Sequence, residues 1–174
     1  MSIIDNDGSV EIRLARPPDA PGMAEVIMRS WEIAYKDIMP PEYIREKNAA
    51  RPEQYNRVIT DENTSSYVIR RDNKTVGVMR IDSPQDGDTD GSCYELHNIY
   101  LHPDYFRQGI GTLAMGFALK KARELGKKTM LVWVNSENAN AIKFYEKCGF
   151  AADGRVREQD VGKKLTSVRM RKTI

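Results

Sequence analysis

Along this chain apolar and polar residues alternate over some stretches and recur every three or four positions over others, a pattern that predicts short strands interleaved with amphipathic helices. EIRLAR, residues 11–16, alternates as a strand with one buried face does. Pro17 and Pro18 end it, and Asp19 stands where a helix N-cap would. In the helix that follows, Met23, Val26, Ile27, Ser30, Trp31, Ala34 and Tyr35 form a single apolar stripe with two aromatics toward its C-terminal end. Pro40 and Pro41 break that stripe, and two shorter helical patterns follow at 41–47 and 52–60.

SYVIRR and TVGVMRI are β-rich runs joined by Asp72-Asn73-Lys74, which reads as a hairpin. A loop, DSPQDGDTDG, leads to another strand from Tyr94 to Leu101. Residues 109–125 then turn helical by pattern and stop at Gly126, a C′ glycine. KKTMLVWV is a continuous apolar strand, and a helix from Asn138 to Cys148 closes on Gly149-Phe150. Weaker strands at 151–158 and 165–172 complete an order that predicts an α/β or α+β fold with a mixed sheet.

Composition narrows the class without naming a function. A length of 174 residues suits one domain, 1–174, able to bury a core without staples. With 40% hydrophobic and 30% charged residues and a net charge of +2, the chain predicts neither a nucleic-acid nor a membrane partner. The start, MSIIDNDGSVEIR, has no basic segment followed by an apolar run, and no apolar stretch reaches the roughly 18 residues of a membrane span, so a cytoplasmic protein is expected. Cys93 and Cys148 are far apart and lack partners at metal-ligand spacing, which argues for reduced, buried thiols and against a disulfide framework or zinc site.

The strongest local signal is YLHPDYFRQGIGTLAMGFALKKA: an apolar strand, a polar loop, Gly109 and Gly111, then a helix at once. Glycines let a backbone approach a ligand closely, and first-turn amides lack internal partners, so the arrangement is an anion site, with Arg107 adding charge. A tight strand-to-helix turn is the plainer reading. A P-loop is excluded because Gly111 is followed by Thr112-Leu113 rather than Lys-Ser/Thr. Gly109-x-Gly111-x-x-Ala114 satisfies the dinucleotide pattern formally, yet residues 102–108 separate it from its strand and no acidic residue ends the next one. Asp86-x-Asp88-x-Asp90-Gly91 copies half of a calcium loop, but its twelfth position is His97 instead of Glu. Asp82, Asp86, Asp88 and Asp90 read instead as a solvated loop tip, with attraction of a cationic substrate as the weaker reading.

ELHNIYLHPDYFRQGIGTLAM resembles the fourth strand, pyrophosphate loop and following helix of the GNAT superfamily of acetyl-coenzyme A-dependent N-acyltransferases. LVWVNSENANAIKFYEKCGF is similar to that family's later signature, here Asn138, Ala141, Phe144-Tyr145 and Gly149-Phe150. The resemblance implies a GNAT fold of about seven strands, mostly antiparallel, with about four helices, binding acetyl-coenzyme A between splayed fourth and fifth strands. Carried over by position, the amides of Arg107, Gln108, Gly109, Ile110, Gly111 and Thr112 would hold the pyrophosphate. Main-chain groups of Ile99, Tyr100 and Leu101, with Asn138, would meet the pantetheine arm. Phe106 departs from the family's usual Gln or Arg, which removes a side-chain contact and leaves the amide cradle.

The implied reaction is acetyl transfer to a primary amine without a metal. An amine attacks a thioester only as the free base, so an ammonium with a pKa of about 10.4 must first lose a proton. Glu95 occupies a position where some family members place a catalytic glutamate. His97, two residues along the same strand, is the alternative base. Tyr145 is the expected general acid for the departing thiolate, and a backbone amide near Leu101 would stabilise the oxyanion. Trp31 and Tyr35 read first as core packing and, with Tyr43 and the segment after Gly149, as walls of an acceptor site. The acceptor stays open among a small amine or polyamine, an amino acid, an antibiotic and a protein N-terminus, and a homodimer is a family-level expectation. The rivals are a non-catalytic acyl-coenzyme A sensor and, behind it, a dinucleotide oxidoreductase.

Overall fold

The alternating runs all join one sheet. The computed structural model describes residues 3–4, 9–61 and 65–174, so most of the start that was read for a leader lies outside the described residues. Its strands are β1 (Ile3–Ile4), β2 (Val10–Leu14), β3 (Ser66–Arg71), β4 (Lys74–Asp82), β5 (Cys93–Leu101), β6 (Thr129–Asn135), β7 (Ala151–Asp160) and β8 (Lys164–Thr173). The helices are α1 (Ala20–Ala34), α2 (Pro41–Thr60), α3 (Ile110–Glu124) and α4 (Ala139–Lys147). Beyond the two-residue β1, the strands are the seven that alternation predicts. The sheet runs β1-β2-β3-β4-β5-β6-β8-β7. Every neighbouring pair is antiparallel except β5 with β6. The β3–β4 hairpin turns through Asp72 and Asn73, at φ of 49° and 63°, the left-handed conformation these residue types tolerate.

Two cores flank the sheet. On one face Val10, Ile12, Ile69, Met79, Ile81 and Leu96 pack with Ile110, Ala114 and Phe117 of α3 and Tyr145 of α4. On the other, Val68 and Val78 pack with Met23, Val26 and Ile27 of α1 and Tyr55 of α2. Burial of these side chains away from water is the main force holding the helices to the sheet.

Three local expectations are corrected. The two short helices form one, α2, running through Pro52. Pro52 costs a single N–H bond there, while Ile44, Asn48, Arg51 and Tyr55, spaced by three and four, keep one continuous buried face. Asp19 makes no side-chain cap for α1, because its carboxylate accepts from the Arg16 amide and from both terminal nitrogens of Arg13. Cys93 is buried, but Cys148, at the C-terminal cap of α4, is only half-buried.

Candidate active site

The site begins at the one parallel seam. β5 pairs with β6 only from Cys93 to Glu95, opposite Thr129 to Leu131; beyond that the two strands diverge, leaving the β6-facing edge of β5 free along Ile99, Tyr100 and Leu101. A bulge explains the divergence. Arg80 pairs with Asn98 and Ile81 with Leu96, so His97 is an extra residue in β5, and such an insertion bends and twists its strand. It also resets which face each side chain takes. Leu96 and Ile99 belong to the α3–α4 core and Tyr100 to the α1–α2 core, so Glu95, His97, Asn98 and Tyr100 all face α1 and α2. Without the bulge, strict alternation would set Glu95 and Tyr100 on opposite faces.

Within that group His97 Nδ1 lies 3.1 Å from the Glu95 carboxylate. Glu95 is buried, and His97 Nε2 is buried without a hydrogen-bond partner. With its proton on Nδ1, the neutral ring carries a free lone pair on Nε2.

At the C-terminal end of β5 the chain makes one 3-10 turn, Pro103–Tyr105, and enters α3. His102 Nδ1 accepts from the Asp104 amide, the Gln108 side chain donates to the Asp104 carbonyl at 2.8 Å, and Arg71 donates to Gln108 Oε1 at 2.7 Å. Arg107 and Gly109 both have positive φ, 59° and 81°, a sequence of turns that aims successive amides into one concavity. Among the described residues no protein acceptor takes the amides of Arg107 through Thr112; the first bonded one is that of Leu113, donating to the Gly109 carbonyl. A Cβ on Gly109 would meet nothing within 4 Å, so the mouth is open. The Arg107 side chain is exposed and unpaired, whereas that of Ile110 is buried in the core and offers only its amide. Free donors, an open mouth and positive charge at a helix N-terminus fit a pyrophosphate.

Across the divergence stands α4. Asn138 Oδ1 accepts from the Ala141 amide and caps the helix, so this residue shapes the site as much as it could bind in it. Tyr145 is buried, its ring set edge-on to Phe150 at 5.9 Å and tilted against Phe144 at 5.4 Å. Burial, then the nearby Tyr100 and Cys148, push its phenol well above the usual tyrosine range. At neutral pH it is a proton-bearing phenol, the state a general acid needs.

The strand end, the free amides of the loop and the aromatic pair of α4 thus meet in one place, and the same stretch decides the family: residues 25–150 match the model described as Acetyltransferase (GNAT) family. The chain belongs to the GNAT acetyltransferases. An uncharacterized N-acetyltransferase of Mycobacterium tuberculosis is 29% identical to this GNAT chain over 141 residues, 78% of this chain and 85% of that protein. An uncharacterized N-acetyltransferase of Methanocaldococcus jannaschii is 39% identical over 56 residues, covering 32% of this chain and 25% of its own length. The GNAT chain therefore spans only a quarter of that relative. In fold it is similar to the PaiA N-acetyltransferase of Thermoplasma acidophilum, solved in complex with coenzyme A, with a TM-score of 0.75 at 24% identity over 95% of this chain and 99% of that one.

Two of the acceptor-site residues named from this GNAT sequence, Trp31 and Tyr35, stack edge-on at 5.1 Å, and the Tyr35 hydroxyl lies between Tyr100 and the Asn138 side chain. The third, Tyr43, accepts through its hydroxyl from Gln159 on β7, in the segment after Gly149. The acidic loop is exposed at Asp88 and Asp90, but it is also tied to the sheet. Asp86 and Asp88 both accept from Arg169 of β8, which is 4% exposed, and Asp86 also accepts from the Trp133 indole. Arg51, Arg80 and the side chain of Tyr100 were not named from the sequence. Arg51 could have been found, as the one charged residue in the inward stripe of α2, had that helix not been divided at Pro52. No helix of the described residues is long and apolar enough to cross a membrane.

Proposed function

We propose that this GNAT protein transfers the acetyl group of acetyl-coenzyme A to a primary amine by direct attack on the thioester. The observation that carries this reading is the run of unbonded amides from Arg107 to Thr112 at the open mouth of α3, beside the free edge of β5. Those amides hold the pyrophosphate; Ile99, Tyr100 and Leu101 offer main-chain groups to the pantetheine arm, with Asn138 on the opposite wall.

His97 Nε2 takes the proton from the acceptor ammonium, and Glu95 works through His97 by holding Nδ1–H and stabilising the imidazolium that forms. The freed amine attacks the acetyl carbonyl, forming the C–N bond. As the C–S bond breaks, the electron pair leaves with sulfur and Tyr145 supplies its proton. A main-chain N–H near Leu101 serves the oxyanion.

The test is calorimetric titration with acetyl-coenzyme A, followed by thiol release with a panel of amines. Binding together with amine-dependent release of one thiol per amide formed is the expected result. Binding without release to any amine would leave a sensor, and no binding would remove the reading altogether.

A further inference from the structure

On the α1–α2 side of the sheet one cation has no counter-ion. Arg51 is 9% exposed, its guanidinium lies over the Trp31 ring at 4.4 Å, and among the described residues it donates only to Gln54 Oε1, at 2.8 Å. No carboxylate of the described residues lies within ion-pair reach of it. Holding an unpaired charge away from water is costly, because a buried ion loses its hydration. Among the described residues Arg51 Nε, the Nε1 of Trp31 beneath it, and Arg80 Nε are buried donors without partners. Tyr55 lies within electrostatic reach of both guanidinium groups. Gln54, which holds Arg51, lines a cleft of about 50 Å³ between α2 and the sheet, together with Tyr55, Ser66, Arg80 and Asn98 and the apolar Met23, Val58, Val78 and Met79.

We propose that this cleft is the carboxylate subsite of the acceptor, and that the acceptor is a small molecule bearing both a primary amine and a carboxylate, an amino acid. The inference rests on the acetyl-transfer reading above and names its substrate class. The charge count selects a monoanion: Arg80 already has Asp82 at 3.6 Å, so two guanidinium groups and one carboxylate leave a single positive charge. A dianionic phosphate would face Asp82 and Glu95 as well, and a polyamine would face the two arginines. The spacing selects a short molecule. Arg80 pairs in register with Asn98, the neighbour of the base His97, and residues so paired sit about 5 Å apart at Cα. An amine at His97 and a carboxylate at Arg80, on the Arg51 side of the cleft, therefore belong to one compact acceptor. The cleft has room for a group of a few water volumes, each about 10–15 Å³ by the same measure.

The experiment is thiol release from acetyl-coenzyme A with a panel of L-amino acids, each offered as the free acid and as its amide, with spermidine as a third arm. The expected result is a kcat/KM for the best acid roughly a hundredfold above that of its amide, the size of effect that follows when a buried charge loses its partner. In Arg51→Gln the acid-to-amide ratio falls toward one, and Arg51→Lys recovers part of it. Equal use of acid and amide by the unaltered protein, or preference for spermidine, overturns the subsite and leaves acetyl transfer standing. Calorimetric titration of the same acids in the presence of coenzyme A separates the two readings. Acid binding that is lost in Arg51→Gln, without turnover of any amine, keeps the subsite and removes acetyl transfer. Absence of both acid binding and turnover overturns the subsite.

Discussion

Gly111, in the first turn of α3, faces the ring of Phe144 on α4: a Cβ built on it would sit 3.4 Å from Phe144 Cε2 and 3.7 Å from Leu101 Cδ1. The loop with free amides and the aromatic pair, separate motifs in the sequence, are therefore in contact through a glycine. A branched side chain there has to displace Phe144, and with it the adjoining Tyr145 ring, or tilt the start of α3. Overpacking of this kind costs about 1–3 kcal/mol. Gly111→Val should weaken acetyl-coenzyme A binding by roughly tenfold, the effect of 1.4 kcal/mol, as read by calorimetric titration. Unchanged affinity would show that the contact is not transmitted to the amides.

Tyr145→Phe keeps both ring contacts and removes only the hydroxyl. The rate of acetyl transfer should fall by about 10²- to 10⁴-fold, the usual contribution of a positioned acid, with acetyl-coenzyme A affinity nearly unchanged. Because burial raises this phenol, it stays protonated as pH rises through the ordinary tyrosine range, so the rate should show no alkaline loss from this group below about pH 10. An unaltered rate in Tyr145→Phe rejects the assignment.

The parts of this site that were legible in the sequence are those set by local backbone chemistry. Glycines at 109 and 111, a strand before them and an amphipathic stripe after them dictate a free-amide turn wherever the rest of the chain goes. Gly149 as a left-handed stop follows from the same local rules, whereas the cap that Asn138 makes on α4 was not read. What could not be read depends on register. The extra residue at His97 is defined only against β4, and it alone decides that Tyr100 shares a face with Glu95. Arg169 illustrates the same limit: β8 returns between β6 and β7, and only that order brings it to aspartates more than eighty residues earlier.

The roles of Glu95 and His97 separate by substitution. If His97 Nε2 takes the proton, His97→Gln should lower kcat by about 10²-fold or more at neutral pH. Glu95→Gln should cost less, since an amide can still accept from Nδ1–H but no longer balances the imidazolium charge. A larger loss of kcat in Glu95→Gln than in His97→Gln would make the carboxylate itself the base.

Arg169 offers a stability test independent of catalysis. It joins Asp86, Asp88 and Asp153 at 2.8–3.0 Å, and its hydrogen bond holds the Asp88 carboxyl down to about 2. A carboxyl lowered in the folded state stabilises it above the unfolded value, about 3.9, and that contribution disappears as pH falls toward 2. In Arg169→Met three carboxylates remain close together without their cation, and the neutral-pH loss should be about 2–3 kcal/mol, below the figure for a fully enclosed pair because water still reaches the aspartates. The sign of the pH effect then reverses. Mutual repulsion raises the carboxyl pKa values in the variant, so its deficit relative to the unaltered protein should shrink as pH is lowered from 7 to 4.5. Urea midpoints at both pH values measure this directly, and a deficit that stays constant would mean that Arg169 stabilises through its packing on Trp133, 5.7 Å from the ring centre, rather than through the acids.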